Sequence, residues 1–365
     1  MNRKASLFSA LIVLVGVGAA SWAQAAGFAY VANCGRPCDA AQPGTVSGYT
    51  IDGSGALMAI PGSPFAAGAG SQGVAVHPNG NFLFVANLGS NNVSVFRITP
   101  GTGVLIEISG SPYSVGTNPF SLAVDPLGQF LYVPNANSND VSAFSIDRIT
   151  GMLTPVTGSP FPAGLTPVSI AVDPSGQFVY VADLNAMVSG FFIRRTGGLQ
   201  QICGSPFQAG NHPFSVAVDR SGRWVYVTND LSSDVSAYTI DPTTGSLTPI
   251  GSSTFPAGTG PRSVAVDPTS RFAYVSNLTS NDVWAYQIDG LGALTPIGAP
   301  VHVGSGPGAL AVDFTGQYVY VANSGDDNVL GYRIDGMSGV LTSIGSPFTT
   351  GQVPISVTTT SGPLP

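Results

Sequence analysis

A tetrapeptide of the form Tyr-Val-x-Asn, or a close variant of it, recurs along the whole of this 365-residue chain. A repeat period of nearly constant length that fills a chain is typical of proteins whose units each bury an apolar face on the next unit. The spacing therefore predicts an array of seven similar units. The copies begin between 46 and 54 residues apart, at Tyr30, Phe84, Tyr132, Tyr180, Tyr226, Tyr274 and Tyr320.

Each unit reads as four short β-strands. In one of them, an apolar strand at 168–172 is followed by the turn 173–176, in which Pro presets φ and Gly permits a positive φ. The second strand, 177–183, carries the Tyr-Val pair, the third covers 188–193, and the fourth begins at Leu199. Proline is tolerated in a sheet mainly at an edge. It falls in the predicted fourth strand of several units, at Pro155, Pro249 and Pro296.

Four strands per unit and seven units predict an all-β fold, a seven-bladed β-propeller. The copy at Tyr30 is a second strand without a first strand before it, and residues 354–358 read as a first strand without a second. We therefore expect the two chain ends to pair in one composite blade that closes the ring and hides its sheet edges. An open solenoid is the alternative. Aromatic residues after the fourth strands are expected to pack between neighbouring blades, namely Phe65, Tyr113, Phe161, Phe207, Phe255 and Phe348.

Residues 1–25 have the features of a secretory signal peptide. Two basic residues precede an apolar run at 5–20, and the segment ends in the small-residue pattern Ala23-Gln24-Ala25. An uncleaved anchor helix is the alternative, although the apolar run is short for a membrane span. Residues 26–365 are then one exported domain, periplasmic or secreted, with no membrane association after cleavage. The net charge of −7 gives no electrostatic reason to expect a nucleic acid as partner.

The Tyr-Val-x-Asn copies, the element Ala-Val-Asp-Pro-x-Gly-x-Phe at 171–178 and the count of seven units resemble the seven-bladed β-propeller lactonases. That family includes propeller-type phosphogluconolactonases and fungal carboxymuconate cyclases. The sequence also resembles the Tyr-Val-Thr-Asn propellers of surface layers, which are largely binding or structural proteins. The resemblance covers residues 26–365. It implies a hydrolase that opens a small sugar-acid or aromatic-acid lactone, without a cofactor. The alternative is a non-catalytic binding or structural propeller whose loop face holds a sugar-like ligand, a protein or a glycan.

Candidate site residues lie where the channel of a propeller opens. At that end, the loop before the inner strand meets the loop between the second and third strands. Lactonase propellers carry a His-rich segment before one inner strand, and His212 resembles its first member, with Phe214 at the place of the second. His212 is a candidate general base, or else a polar residue of the rim. Arg262, one blade later, is a candidate clamp for a carboxylate or an oxyanion, or else an exposed loop charge.

Two carboxylates are candidates for orienting His212 in a catalytic set. Asp183 replaces the Asn of the repeat in one copy, and Asp230 follows the Asn of the next copy. For both, hydrogen bonding within a turn is the alternative. The ring of Asn residues with Asp183 offers oxygen ligands for Ca²⁺, but a single carboxylate makes such a site weak, and we predict no metal. The resemblance also implies a channel Glu, whereas Glu107 falls in a predicted outer strand.

The three cysteines receive separate interpretations. Cys34 and Cys38 lie in a short insertion after the first repeat copy, and an oxidising compartment favours a local disulfide between them. A redox pair or a metal-binding pair is the alternative. Cys203 is predicted to be a buried thiol. Two histidines outside the predicted channel mouth, His77 and His302, are interpreted as structural.

Overall fold

Seven antiparallel sheets, arranged as the blades of a ring, make up the computed structural model. It describes residues 27–36, 38 and 42–360. The predicted seven-bladed β-propeller is therefore confirmed. The signal peptide predicted at residues 1–25 lies outside the described residues. Within those residues, no helix combines the length and the apolar character needed to cross a membrane.

The strands follow the chain blade by blade. Blade 1 begins with β1 (Gly27–Asn33), β2 (Pro43–Ile51), β3 (Leu57–Ala59) and β4 (Phe65–Ala69). Blade 2 contains β5 (Ser71–Val76), β6 (Phe82–Asn87), β7 (Asn92–Ile98), β8 (Leu105–Glu107) and β9 (Tyr113–Ser114). Blade 3 contains β10 (Ala123–Val124), β11 (Phe130–Asn135), β12 (Asp140–Ile146), β13 (Leu153–Pro155) and β14 (Phe161–Pro162). Blade 4 contains β15 (Pro167–Val172), β16 (Phe178–Asp183), β17 (Met187–Ile193), β18 (Leu199–Gln201) and β19 (Phe207–Gln208).

The remaining blades repeat this order. Blade 5 contains β20 (Pro213–Val218), β21 (Trp224–Asn229), β22 (Asp234–Ile240) and β23 (Leu247–Pro256). Blade 6 contains β24 (Pro261–Val266), β25 (Phe272–Asn277), β26 (Asp282–Ile288), β27 (Leu294–Pro296) and β28 (Val301–His302). Blade 7 contains β29 (Pro307–Val312), β30 (Tyr318–Asn323), β31 (Asn328–Ile334), β32 (Leu341–Ser343) and β33 (Phe348–Thr349). The last strand, β34 (Pro354–Thr359), belongs to blade 1.

The ring is closed by pairing of the first and last strands. Strand β34 runs antiparallel to β1, with Val357 opposite Val31 and Thr359 opposite Ala29. Just beyond this ladder, the amide of Phe28 donates a hydrogen bond to Oγ1 of Thr360, at 2.9 Å. The composite blade predicted from the repeat phase is thus confirmed, and the open solenoid is excluded.

The outer edge of six blades differs from the four-strand prediction. In blade 3 the end of β12 pairs with β13, and its beginning pairs with the short strand β14. A tight turn with Gly158 at φ 90° separates the two outer strands, because the chain leaves the ladder there and returns to the same edge. Six sheets contain such a fifth strand, whereas β23 of blade 5 runs through as one strand with an irregular register.

Apolar clusters lie between neighbouring blades, where they hold the ring together. In one of them, Trp224 and Tyr226 of blade 5 pack with Val264 and Val275 of blade 6. The aromatic residues that follow the fourth strands join these clusters as partly buried members, as the sequence predicts. They are Phe65, Tyr113, Phe161, Phe207, Phe255 and Phe348.

The tyrosine of the repeat also links neighbouring blades through its hydroxyl. Each such hydroxyl is buried and donates to the carbonyl of a glycine in the next blade, in the turn before the fourth strand. Phe84 carries no hydroxyl, so the equivalent bond is missing between blades 2 and 3. The six bonds, 2.7 to 3.0 Å long, run from Tyr30 to Gly103, Tyr132 to Gly197, Tyr180 to Gly245, Tyr226 to Gly292, Tyr274 to Gly339 and Tyr320 to Gly55.

Two predictions for residues outside the channel mouth can be compared with the structure, and they have different outcomes. The prediction that Cys203 is buried is wrong, because this residue lies in the turn after β18 and its side chain is exposed. His77 is buried in the turn position that Asp occupies in most blades, and burial lowers its pKa. Its Nδ1 accepts a hydrogen bond from the amide of Asn79, and its Nε2 lies 2.9 Å from the carbonyl oxygen of Gly128 in the next blade. His77 therefore has the structural position expected of it.

Candidate functional site

An axial cavity of about 380 Å³ opens at the end of the channel where the inner strands begin. All seven blades contribute to its wall. In each blade, the second residue of the innermost segment lines this cavity. We call these seven residues the lumen ring. The lumen ring consists of Gln72, Phe120, Val168, Phe214, Arg262, Gly308 and Ile355.

In every blade, the residue before the innermost segment has a positive φ, and its carbonyl oxygen accepts a hydrogen bond from the amide of the residue that follows the second strand. In blade 5 this residue is His212, which has a φ of 64°, and its carbonyl oxygen accepts a hydrogen bond from the amide of Asp230 at 3.0 Å. The other blades have the same pairing, so the fold itself places two residues opposite each other at this point. Only the side chains are particular to blade 5. The residues with positive φ are Gly70, Asn118, Thr166, His212, Gly260, Gly306 and Val353.

Three of the four predicted catalytic residues form one cluster at the channel mouth. Oδ2 of Asp230 lies 3.3 Å from Nδ1 of His212 and 3.4 Å from Nη2 of Arg262. The Asp230 side chain is only 12% exposed, which strengthens its interactions with both neighbours. We call these residues the His–Asp–Arg cluster. Asp230 thus faces Nδ1 of His212, whose side chain is partly exposed.

Arg262 connects this cluster to the cavity. Its guanidinium carbon lies 4.1 Å from the centroid of the Phe214 ring, in a cation–π arrangement. The Phe214 ring in turn meets Phe120 edge to face, with centroids 5.5 Å apart. Of the residues that line the cavity, Arg262 is the one with a charged side chain.

Asp183, the fourth predicted residue, lies apart from the cluster. Its side chain is buried at the end of β16, and its Oδ2 accepts a hydrogen bond from the hydroxyl of Ser189 at 2.7 Å. Burial raises the pKa of the Asp183 carboxyl to about 7. Among the described residues, no hydrogen bond or ion pair joins Asp183 to His212. Its role in orienting the histidine therefore stays a prediction, without a contact that supports it.

The Asn residues that end the second strands bond within their own blades. Nδ2 of Asn135, for example, donates to the carboxylate of Asp140 and to the hydroxyl of Ser142. This is the turn-type bonding considered as the alternative to Ca²⁺ ligation. In the part of the chain that the structure describes, no group of three or more His, Cys, Asp or Glu side chains is arranged to hold a metal ion.

The predicted disulfide between Cys34 and Cys38 is confirmed, and it lies beside the channel mouth. Nε2 of Gln72, a member of the lumen ring, donates to Sγ of Cys38 at 3.2 Å. In the same insertion, Arg36 forms an ion pair with Asp327 of blade 7 at 2.9 Å. The insertion thus contacts blades 2 and 7 at the mouth. The sequence did not single out Gln72, although its place before the small residue Gly73 of an inner strand marks it as a lumen position.

The family model for seven-bladed β-propeller lactonases matches residues 45–166 and 161–260, more than half of the chain. The chain belongs to this family. Among curated protein sequences, none matches it. Solved structures share the fold of this lactonase-family propeller at low identity. A candidate 6-phosphogluconolactonase from Bacteroides uniformis is 17% identical, with a TM-score of 0.79 and coverage of 91% of this chain and 99% of that one. The periplasmic gluconolactonase of Pseudomonas aeruginosa is 20% identical, with a TM-score of 0.74 and the same coverages.

This member of the lactonase family has its only glutamate far from the cavity. Glu107 lies in the outer strand β8 and accepts a hydrogen bond from the hydroxyl of Ser111 at 2.7 Å. The channel Glu implied by the resemblance is therefore absent here. The candidate acid–base groups of the site are therefore those of the His–Asp–Arg cluster.

Proposed function

We propose that this propeller hydrolyses a small lactone in the axial cavity, with the His–Asp–Arg cluster as the reacting site. The observation that carries the proposal is the contact of His212 and Arg262 with the same oxygen of Asp230, since Arg262 also lines the cavity. A histidine held by a carboxylate and accompanied by a guanidinium supplies a base and an anion-stabilising group in one place. The family of the chain supports the same chemistry.

The cluster gives each residue a distinct part in the reaction. Asp230 orients the His212 ring through Nδ1, so that Nε2 takes a proton from a water molecule. The water oxygen then bonds to the lactone carbonyl carbon, and Arg262 stabilises the negative charge that develops on the carbonyl oxygen. The ring C–O bond breaks as the intermediate collapses, and the proton passes from His212 to the departing ring oxygen. The product is the open hydroxy acid.

Export is part of the proposal. The segment 1–25 has the pattern of a secretory signal, and the disulfide between Cys34 and Cys38 suits an oxidising compartment. The gluconolactonase of Pseudomonas aeruginosa that shares the fold is itself periplasmic. These three observations favour a periplasmic or secreted location for this chain.

The test is hydrolysis of a set of lactones, followed as acid release at constant pH, by wild type, His212→Ala and Asp230→Asn. General-base catalysis by a histidine contributes roughly 10²–10⁴-fold, so we expect His212→Ala to lower kcat/KM by at least about 100-fold. His302→Ala is the matched control, because His302 is exposed in the outer strand β28, and its activity should equal that of wild type. Full activity in His212→Ala would remove the base from the proposal. A wild type that opens no lactone would favour the non-catalytic binding propeller.

A further inference from the structure

We infer that the cavity selects lactones with a flat aromatic body over polyhydroxylated sugar lactones. This inference rests on the proposed function and names the substrate class of the same site. It comes from the lumen ring, from the bonding of the serines behind it, and from the balance of charge at the mouth.

The lumen ring presents few groups that could pair with sugar hydroxyls. Phe120, Val168, Phe214 and Ile355 offer apolar surface, and Gly308 offers none. Gln72 is buried, its amide nitrogen donates to the disulfide, and its Oε1, which has no partner among the described residues, is the one acceptor of this side chain left for a ligand. A hydroxyl brought into such a cavity without a partner loses its hydrogen bonds to water, which weakens binding.

Three of the serines that line the cavity next to the lumen ring accept hydrogen bonds from the next blade, namely Ser169, Ser215 and Ser263. Oγ of Ser169 accepts a hydrogen bond from the amide of Val216 in the next inner strand, at 3.1 Å. Oγ of Ser215 accepts in the same way from the amide of Val264 at 3.4 Å. A ligand hydroxyl that sought these oxygens would compete with bonds between blades. As acceptors for sugar hydroxyls, these three serines are therefore already engaged.

Phe120, Phe214 and Arg262 form a continuous surface that fits a flat ring, and we call it the aromatic wall. Phe120 and Phe214 meet edge to face, and the Arg262 guanidinium lies over the ring of Phe214. Next to Arg262 in ring order stands Gly308, where a Cβ would come within 3.3 Å of the carbonyl oxygen of Ile355, so the inner strands of blades 7 and 1 approach closely there. An aryl ring packed on this wall brings its lactone carbonyl close to Arg262.

The charge of the mouth disfavours phosphorylated substrates. Asp230 lies 3.4 Å from Arg262 and neutralises the single cation of the cavity wall. A phosphate carries close to two negative charges and needs several donors or cations. An uncharged lactone needs only the remaining N–H groups of Arg262 as its carbonyl becomes an oxyanion.

The experiment compares dihydrocoumarin, an aryl lactone, with glucono-1,5-lactone as substrates of the full protein. We expect kcat/KM for dihydrocoumarin to be higher by about 100-fold or more, because several sugar hydroxyls would be left unpaired. Phe120→Ala should raise the KM for dihydrocoumarin at least about fivefold with kcat little changed, since Phe120 belongs to the aromatic wall and not to the His–Asp–Arg cluster. Phe192→Ala is the control, because that phenylalanine is exposed on β17, and its KM should match wild type.

Binding of the reaction products separates this inference from the proposed function. Calorimetry with 3-(2-hydroxyphenyl)propanoate and with D-gluconate needs no turnover. Tighter binding of the aryl acid, by about tenfold or more, supports the aromatic preference even if no lactone is hydrolysed, a result that would refute only the proposed reaction. Equal or tighter binding of gluconate, no binding of either acid, or faster opening of the sugar lactone would overturn the inference.

Discussion

Replacing Asp183 by asparagine tests how much a buried carboxyl group lowers the free energy of unfolding. Asp183 ends the second strand of blade 4, at the position where the other six blades have asparagine. Blade 4 also differs from them in a second way. The equivalent Asn229 pairs with Asp234, which accepts its amide hydrogen, whereas Asp183 pairs with Met187. Its Oδ2 accepts from Ser189, and its Oδ1 is buried with no hydrogen-bond partner in the part of the chain that the structure describes. The carboxyl group is therefore stable in this place mainly in its protonated form.

The magnitude follows from the pKa of the group. Burial raises the pKa of Asp183 from 3.8 to about 7, a change of about three units, and one unit corresponds to about 1.36 kcal/mol. Below pH 3.8 the folded and unfolded chains both hold the proton, and the carboxyl costs nothing. Between pH 4 and 7 the unfolded chain releases the proton while the folded chain keeps it, so stability falls as pH rises. Above pH 7 the loss is complete, at up to about 4 kcal/mol.

The assay is urea unfolding of wild type and Asp183→Asn from pH 4 to pH 8.5. The asparagine does not titrate, so we expect the variant to gain little at pH 4 and up to about 4 kcal/mol above pH 7. Its amide would also donate to Ser189, as Asn229 donates to Ser236 at 2.9 Å. Asn229→Asp is the mirror variant and should become less stable over the same pH range. A difference between Asp183→Asn and wild type that stays constant from pH 4 to 8.5 would refute the reasoning.

Two further predictions concern links within the ring. Phe84→Tyr should add the missing hydroxyl bond to the carbonyl of Gly151 and raise the free energy of unfolding by about 1 kcal/mol, whereas Tyr132→Phe should lower it by about 1–3 kcal/mol. Thermal unfolding of both variants checks this, and a destabilised Phe84→Tyr would show that the site has no room for the hydroxyl. Replacing Cys34 and Cys38 together by serine should lower the free energy of unfolding by about 2 kcal/mol, as expected for a short loop. Urea unfolding of that variant against wild type under non-reducing conditions measures this, and equal stability would contradict it.

Much of the architecture could be predicted because each blade is encoded locally. The apolar inner strand, the Asp-Pro turn and the Tyr-Val strand follow one another along the chain, and their hydrogen bonds join neighbours in sequence. Even the closure could be read from the phase of the repeat at Tyr30 and at residues 354–358. The split outer edge and the exposure of Cys203 were not predicted, because both depend on where the chain leaves a ladder and returns to it.

The candidate site, too, could be predicted from the sequence only in part. Sequence reasoning proposed His212, Arg262, Asp230 and Asp183, since each is an unusual residue at a position of the repeat near the mouth. It could not choose between the two carboxylates. Backbone pairing in blade 5 places Asp230 opposite His212, whereas Asp183 turns into its own blade toward Ser189.

The sequence by itself therefore determined the number of blades, the order of their strands, the pairing of the chain ends and the local disulfide. Only the tertiary structure decided which side chains meet in the channel. Phe120 and Phe214 come from blades that are not neighbours in the chain, and Gln72 meets a disulfide from another blade. Such contacts depend on the closed ring and on the direction in which each inner strand presents its side chains. A local repeat pattern specifies neither of these.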